Sequence, residues 1–497
     1  MLNCGRELHI LEHLCFIALL SSAILVNGQT ISGRIRIDAP VQVYSTASLG
    51  DMWTYNPVKW PSAAPWTITW PPAPALGLFL DLPLVTLRTN NLIKFMSYNC
   101  DLDEWNGDPS LPNPFNVDLS KFTKSGWSGK VMTSVWVAGL HKLSSKPTTS
   151  PTANDRISPI ETELRMVGTS FLDRPYVPNV YKVTATDLSS TYPNLAAGDL
   201  LGFVHVETSL IAANDGPYTI GIAYSKTSGE TWVYCGDIVR TANNISEGTD
   251  NITGIPYLVV GSYFYVYYCD YPKPGWCCAS GSASGKRPCV ARGYLPSVLG
   301  KASNAYAERF NSKTTNVQVE PFYKYIYVNA SGSYSRDLTN SLNWDSQIAA
   351  PTGTNSAHAG ADILPIRLPN MAWIDLHSDA AFCSALNKYL ITVSNGPADQ
   401  TVPGTLALYS SGDGVNWINP VVIDATTASG YYIEKAHSFF VSLNSDAADD
   451  SHIVGKQFYI YTPYTYYNSG HVVSQVLCQH KITIIPDQTP VNMLLLD

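Results

Sequence analysis

The residues best suited to chemistry alternate along two short segments of the chain. His205 and Glu207 stand two residues apart, and Asp375, His377 and Asp379 repeat that spacing. Because successive side chains of a β-strand point to opposite faces, the side chains of each set would project from the same face of their strand. A carboxylate or imidazole inside an apolar run is costly unless it is paired or lines a wet cavity. Both segments therefore predict a polar site. The alternatives are a strand end that reaches solvent for the first and a hydrogen-bonded structural cluster for the second.

The second segment also has ligand types that suit a cation. Carboxylate oxygens are the ligands that Ca²⁺ prefers, and imidazole binds transition metals. Asp375, His377 and Asp379 are thus predicted either to hold Ca²⁺ or another cation, or to tune the pKa of a neighbouring carboxylate. No other cofactor is expected.

Further candidates are a carboxylate with an imidazole and two aromatic rings. Glu434 and His437 precede the last repeated strand, although their spacing of three puts them on opposite faces of a regular strand. Tyr257 follows a proline, and Trp373 opens the segment that contains Asp375. Aromatic faces suit the stacking of sugars, while core packing is the alternative for both rings.

Strands must position these residues, because helical periodicity is scarce along the chain. Five runs join a polar turn to a strongly aromatic or aliphatic strand, and most are followed after a loop by a second strand. The runs are 90–98, 198–207, 261–268, 387–394 and 455–461. The strands that follow are 220–225, 289–294, 406–410 and 476–480.

This repetition predicts an all-β fold, a five-bladed β-propeller with long loop insertions. Each blade buries its faces only against its neighbours, so the ring would form a single domain over residues 29–497. Residues 101–160 are rich in Pro, Ser, Thr and Asn and are predicted to form the largest, loop-rich insertion. The alternative architecture is a β-sandwich with a second β domain.

Two turns resemble the Asp-box of sialidases, whose pattern is Ser-x-Asp-x-Gly-x-Thr-Trp. Residues 225–232 match it except that threonine replaces the aspartate, and residues 410–417 are a looser relative with Asp413 one step late. A glycine, Gly229 or Gly414, would supply the positive φ, and a tryptophan would pack beneath the turn. The resemblance implies blade turns that lie away from a catalytic centre.

The blade-like segments together resemble the five-bladed glycoside hydrolase superfamily of arabinanases, xylosidases and fructosidases, as a secreted branch of it. The resemblance covers most of residues 75–485. It is carried by the segments 202–207, 222–225, 262–268, 380–382, 387–390 and 458–461.

That resemblance implies three carboxylates around the mouth of the ring: a base or nucleophile, a pKa-tuning aspartate and a general-acid glutamate. Asp81, before Pro83, is assigned to the first role, with turn capping as the alternative. Asp379 is assigned to the second role and Glu207 to the third, with His205 orienting Glu207 or the sugar. The order of carboxylates that the family shows through its first three blades is not found, so hydrolysis itself stays open.

The N-terminus predicts export. Arg6 lies in a short polar start before an apolar run from Leu14 to Val26. That run is too short to span a bilayer, and residues 1–28 are predicted to be a signal peptide. The mature protein is therefore expected to be secreted, with no membrane insertion after signal cleavage; an uncleaved anchor is the alternative.

Cysteines and glycosylation motifs agree with export. Of the ten cysteines, Cys4 and Cys15 fall in the signal peptide, which leaves an even number that suggests disulfides. Four cysteines crowd between Cys269 and Cys289, where at least one local bridge is expected and a zinc site is the alternative. Glycosylation sequons begin at Asn244, Asn251 and Asn329.

Composition limits the partners. Charged residues make up 14% of the chain and the formal net charge is −8, so no basic stripe is present to bind nucleic acid. The 45% apolar content is sufficient for a large core. Few charges together with 30 tyrosines favour a neutral or weakly charged carbohydrate as the ligand.

Three functions follow from these observations. The leading hypothesis is a secreted glycoside hydrolase that cleaves a neutral or weakly charged glycan with a carboxylate pair in the propeller funnel. The second is a non-catalytic carbohydrate-binding or cell-surface propeller. The third is a sialidase relative, which would require three arginines that converge on the funnel.

Overall fold

The computed structural model describes the parts of the chain in which the blades are built. They are residues 34–45, 85–89, 92–99, 127–139, 162–167, 173–208, 219–226, 231–240, 252–270, 287–312, 319–335, 337, 339–348, 358–364, 366, 368, 374, 376–395, 405–425, 442–445, 452–468 and 471–485.

Strands dominate these residues. The first twelve are β1 (Ile35–Ile37), β2 (Val41–Ser45), β3 (Val85–Thr89), β4 (Leu92–Asn99), β5 (Trp127–Gly139), β6 (Thr162–Val167), β7 (Asp173–Lys182), β8 (Leu200–Thr208), β9 (Thr219–Ser225), β10 (Thr231–Val239), β11 (Ile252–Thr253) and β12 (Tyr257–Val260). The remainder are β13 (Tyr263–Asp270), β14 (Arg287–Tyr294), β15 (Tyr323–Val328), β16 (Ser341–Ile348), β17 (Ala380–Cys383), β18 (Lys388–Asn395), β19 (Thr405–Ser411), β20 (Ile418–Ala425), β21 (Ser442–Ser445), β22 (Ile453–Val454), β23 (Gln457–Asn468) and β24 (His471–Ile484). One α-helix, α1 (Leu295–Ser312), joins β14 to β15.

The strands form five antiparallel meanders. Blade 1 is β3-β4-β5-β6 and blade 2 is β7-β8-β9-β10, and the outer strands β6 and β10 pair in parallel to join them into one sheet. In blade 3, β11 and β12 share the edge of β13, and β14, β15 and β16 follow. Blade 4 is β17-β18-β19-β20, with β22 added in parallel to β17. Blade 5 is β21-β23-β24 with β1 and β2 on its outer edge.

Two observations show that the meanders close into a ring. The strands nearest the start of the chain, β1 and β2, complete the last blade by pairing with β24. The first strand of each blade also meets the first strand of another: β3 lies against β7, β12 against β17, β17 against β21, and β21 against β3. The predicted five-bladed β-propeller is therefore confirmed.

The repeated runs found in the sequence are the second strands of the five blades. They correspond to β4, β8, β13, β18 and β23, and the strands that follow them are β9, β14, β19 and β24. Within the predicted insertion of residues 101–160, Trp127–Gly139 is β5 of blade 1, and the other residues lie outside the described part of the chain. The helix α1 also lies outside the prediction. Its buried positions recur at helical spacing and pack on blades 2 and 3: Leu295, Val298, Leu299, Ala302, Ala305 and Tyr306.

The hydrophobic core lies between consecutive blades. One cluster joins blades 2 and 3 and includes the inner face of α1, a second joins blades 3 and 4, and a third joins blades 4 and 5. This is the packing that a propeller requires, because a single blade cannot cover its own faces. No helix in the described part of the chain is long and apolar enough to cross a membrane.

The Asp-box-like turn of blade 4 has the expected construction. Gly414 has a φ of 76°, and Trp417 is fully buried beneath the turn. The carboxylate of Asp413 accepts hydrogen bonds from the backbone N–H groups of Val415 and Asn416 at 2.9 and 2.8 Å. The Tyr267 hydroxyl of blade 3 donates to the Gly414 carbonyl at 2.8 Å, so this turn also connects two blades. Gly229 of the other turn lies outside the described residues.

Asn179 of β7 ties three blades together. Its amide nitrogen donates to the Ile255 carbonyl before β12 at 2.6 Å and to the Ser378 carbonyl before β17 at 3.2 Å. Asn179 is buried, so both carbonyls would lose their donor if the amide were removed. Since first strands of different blades share no ladder of backbone hydrogen bonds, a side chain has to supply these donors.

Four of the cysteines predicted to form disulfides have described side chains. The structure has four buried thiols at Cys235, Cys269, Cys289 and Cys383. In the β13–β14 ladder Cys289 lies opposite Tyr268 and not opposite Cys269, so the two cysteine side chains point to opposite faces of the sheet. The register therefore excludes a bridge between Cys269 and Cys289. The local bridge stays a prediction, because Cys277 and Cys278 lie outside the described residues.

We expect Asn179→Ala to lower the free energy of unfolding by about 1–3 kcal/mol, because two buried carbonyls lose a hydrogen bond. Asn179→Asp should cost more, since a carboxylate would face both carbonyl oxygens. Urea unfolding followed by tryptophan fluorescence measures both effects. Asn194→Ala serves as the control, because the amide of Asn194 bonds to Asn304 at an exposed position. Equal losses in Asn179→Ala and Asn194→Ala would contradict the role of Asn179.

We expect Cys269 and Cys289 to be thiols in protein purified without reductant. Burial raises the pKa of the Cys289 thiol, and neither cysteine is exposed, so iodoacetamide should label them only after unfolding in urea. Peptide mass spectrometry of native and unfolded samples measures the labelling. A disulfide-linked peptide that contains either cysteine would refute this prediction.

Candidate functional site

Polar side chains from three blades meet where the first strands converge. Tyr257 begins β12 of blade 3, and Asp379 comes directly before β17 of blade 4. His452 comes directly before β22, which extends the sheet of blade 4. His205 lies on β8 of blade 2, and His377 lies two residues before Asp379. The strand starts thus bring together residues that are far apart in the chain.

Asp379 holds blade 4 to blade 5. One of its carboxylate oxygens accepts the backbone N–H of Ala380 at 2.8 Å, and the other accepts the N–H of Leu443 in β21 at 3.0 Å. The backbone of Asp379 is fixed as well, since its carbonyl accepts from both the N–H and the hydroxyl of Thr392. Asp379 is therefore buried, rigid and committed to two backbone donors.

Tyr257 and His452 form the next step of a chain of contacts. The Tyr257 hydroxyl lies 2.9 Å from the Val180 carbonyl and 2.8 Å from Nδ1 of His452. A carbonyl can only accept, so the hydroxyl donates to Val180 and accepts from a proton on Nδ1. The two rings also lie against each other, with centroids 4.0 Å apart. Nε2 of His452 is 3.4 Å from the Asp379 carboxylate, which completes a carboxylate–imidazole–phenol series.

His205 and His377 form a second contact between blades. Their ring centroids are 5.5 Å apart in an edge-to-face arrangement, which joins β8 of blade 2 to the segment before β17. His205 is fully buried, whereas His377 is half-buried. Of the imidazoles in this group, His377 is the most suitable for contact with a bound molecule.

The structure brings together four of the residues that the sequence predicts, namely His205, Tyr257, His377 and Asp379. It places the backbone of Glu207 two residues after His205 on β8, opposite Arg174 of β7. The Glu207 side chain is outside the described part. The other predicted site residues also lie outside the described residues: Asp81, Trp373, Asp375, Glu434 and His437.

Two members of the group were missed by the sequence. Asn179 follows Pro178 within residues 175–181 of β7, where every other residue is apolar or aromatic, and an isolated polar residue in such a run was the available signal. His452 lies in a turn after Asp449 and Asp450. A residue in a turn is not part of an alternating pattern of polar residues within a strand, so this pattern could not identify His452.

A cation remains a prediction at this site. Within the described ranges, no group of three His, Cys, Asp or Glu side chains has an arrangement that could hold a metal ion. The predicted ligand set included Asp375, which is not among those ranges.

Comparison with known sequences finds no relative. No family model matches the chain, and no curated protein matches it at a significant level.

Comparison with solved structures finds glycosidases that are similar to this chain at low identity and low TM-score. An α-L-arabinanase from Penicillium chrysogenum is 9% identical with a TM-score of 0.35, over 89% of this chain and 98% of its own. An α-L-arabinofuranosidase from Fusarium graminearum is 10% identical with a TM-score of 0.33, over 80% and 92%. The catalytic domain of a GH62 α-L-arabinofuranosidase from Coprinopsis cinerea is 9% identical with a TM-score of 0.36, over 80% and 90%. At these TM-scores the fold assignment rests on the sheet order and ring closure of this chain.

Proposed function

We propose that the chain is a secreted glycoside hydrolase that acts on a neutral or weakly charged carbohydrate at the convergence of its first strands. The observation that carries this proposal is the meeting of imidazole, phenol and carboxylate groups from blades 2, 3 and 4 in an otherwise apolar interior. Buried polar groups that are collected from separate elements are typical of functional sites.

The acid and base are proposed from positions along the strands. Glu207 stands two residues beyond His205 on β8, about 7 Å along the strand, and would protonate the leaving oxygen. Asp81 precedes β3, the first strand of blade 1, and would act as the base or nucleophile on the other side of the glycosidic bond. His377 would contact the sugar.

Asp379 is better suited to positioning than to attack. Both of its oxygens accept backbone N–H groups, and these hydrogen bonds fix the direction of the carboxylate. Asp379 would act through His452 and Tyr257, which extend from it toward blade 2. We therefore propose it as a positioning residue for the site.

The second candidate function is carbohydrate binding without hydrolysis. The commitment of Asp379 to backbone donors favours it, because one of the three predicted catalytic carboxylates then serves the fold. A propeller that kept its inter-blade contacts and lost the acid–base pair would still bind a sugar at the same place.

We expect Glu207→Gln to lower kcat/KM on the best substrate by about 10²–10⁴-fold while the fold is retained, because the amide cannot donate a proton to the leaving group. A panel of aryl furanosides, pyranosides and sialosides identifies that substrate. Glu320→Gln is the matched control, since Glu320 is an exposed partner of Lys301 on the surface.

The panel also separates the two candidates. Unchanged hydrolysis in Glu207→Gln would remove Glu207 from the reaction. Folded wild-type protein that binds a glycan saturably but hydrolyses no member of the panel would establish the binding function instead.

We expect His377→Ala to weaken binding of the same sugar by about tenfold, since a half-buried imidazole would lose its hydrogen bond to the ligand. Isothermal titration calorimetry measures the change. His358→Ala is the control, because the half-buried imidazole of His358 contacts Asp345 on β16, an outer strand of blade 3. Equal effects of the two substitutions would exclude a local role for His377.

A further inference from the structure

Blade 3 carries a second group of side chains that the proposed reaction does not use. We call it the aromatic facet, and it consists of Tyr263, Arg292, Tyr294, Tyr323, Tyr325 and Trp344. Strand register places the six on one face. Tyr263 is opposite Tyr294, Arg292 is opposite Tyr323, and Tyr325 is opposite Trp344. The facet therefore runs across β13, β14, β15 and β16.

Arg292 lies at the centre of the facet. The carbon of its guanidinium group is 4.7 Å from the Tyr263 ring centroid and 4.0 Å from the Trp344 ring centroid. Two rings thus lie against the guanidinium group, whose N–H groups lie in its plane. The Tyr265 hydroxyl accepts one hydrogen bond from Arg292, and the other donors can serve a bound acceptor. No carboxylate among the described residues forms an ion pair with Arg292.

Asp413 is an acidic residue whose charge affects a ring of the facet, but its oxygens already accept hydrogen bonds from other groups. It raises the pKa of Tyr325, although burial of that ring is the larger cause. Its own oxygens accept hydrogen bonds from Val415, Asn416 and Ser411 within the blade 4 turn. Although partial burial opposes the change, the hydrogen bonds from Asn416 and Val415 hold the pKa of Asp413 below its usual value. Asp413 is thus an anion of that turn and not the partner of Arg292.

Two rings of the facet are open to solvent. Tyr294 is 52% exposed and Tyr323 is 42% exposed, on either side of Arg292. Exposed apolar area costs about 25 cal/mol per Å² relative to burial, so the open parts of these rings are available to a bound molecule. Tyrosine, tryptophan and arginine are the residue types that dominate binding surfaces.

We propose that the aromatic facet binds a carboxylated sugar, a uronic acid residue of a polysaccharide. Its ring would stack on Tyr294 or Tyr323, and its carboxylate would accept two hydrogen bonds from Arg292. The guanidinium group matches a carboxylate in shape as well as in charge. A neutral sugar would leave its positive charge unpaired. The chain has a net charge of −8, so attraction of an anion here depends on this local cation.

The facet is separate from the candidate site. Tyr257 and Val260 are the two ends of β12, and Val260 pairs with Tyr263 across the hairpin turn. Tyr257 belongs to the candidate site and Tyr263 to the facet, so about 10 Å of strand separates the two ends. The proposal goes beyond the reaction proposed above and does not depend on it.

Calorimetric titration with trigalacturonate, and with galactotriose as its uncharged counterpart, tests the facet. We expect wild-type protein to bind trigalacturonate about tenfold more tightly than galactotriose, and Arg292→Gln to abolish that preference. Tyr323→Ala removes a stacking ring and should weaken binding of both trisaccharides. This variant tests the facet even if Arg292→Gln does not fold. Binding of trigalacturonate should also weaken as NaCl is raised from 50 to 500 mM.

Two control variants locate the binding. Arg36→Gln removes another partly exposed arginine, on blade 5, and should leave the affinity for trigalacturonate unchanged. His377→Ala should also leave it unchanged, whether or not the chain is a hydrolase. Loss of trigalacturonate binding in His377→Ala would place the ligand at the candidate site and overturn the facet proposal alone.

Three further results would overturn the proposal. These are equal affinity of wild-type protein for the two trisaccharides, an unchanged preference in Arg292→Gln, and binding of hexaglutamate as tight as that of trigalacturonate. The last result would assign the facet to acidic peptides.

Discussion

The hydrogen bonds of Asn179 are the constraint on which the centre of the ring depends. Within a blade, each strand satisfies its backbone groups by pairing with the next, but the first strands of different blades do not form a ladder. The Ile255 and Ser378 carbonyls therefore need donors from a side chain, and one amide serves both. Because that amide belongs to β7, blades 2, 3 and 4 have a fixed relative position, and the groups that follow Ile255 and Ser378 are fixed with them.

The polar centre consequently serves two purposes. Asp379 accepts the N–H of Leu443 in blade 5, while His452 and Tyr257 continue from Asp379 to the Val180 carbonyl in blade 2. Most of these atoms are already used by the fold. A ligand can therefore gain little from them directly, and its contacts have to come from half-buried groups such as His377. A rigid centre with a few accessible groups at its edge suits precise positioning of a sugar.

The sequence predicted the repeated part of the fold and about half of the site. Alternation identified His205, His377 and Asp379, and the aromatic runs identified the second strand of every blade. It missed α1 because the buried stripe of this helix is weak: two of its six members are alanines, and Pro296 and Gly300 interrupt it. The pairing of the cysteines could not be predicted because their number says nothing about register: a shift of one residue puts Cys269 and Cys289 on opposite faces.

A single pattern connects the polar residues that the sequence did not explain. Lys324 lies in the apolar β15 with its side chain fully buried, and it donates to the Arg240 carbonyl of blade 2 at 2.8 Å while it pairs with Asp270. Such a buried pair adds little stability by itself, because desolvation offsets its attraction. Its value lies in the carbonyl that it satisfies between blades, as Asn179 does at the centre. An isolated polar residue in an apolar strand of this propeller therefore indicates a contact between blades first, and chemistry only where its neighbours are open to a ligand.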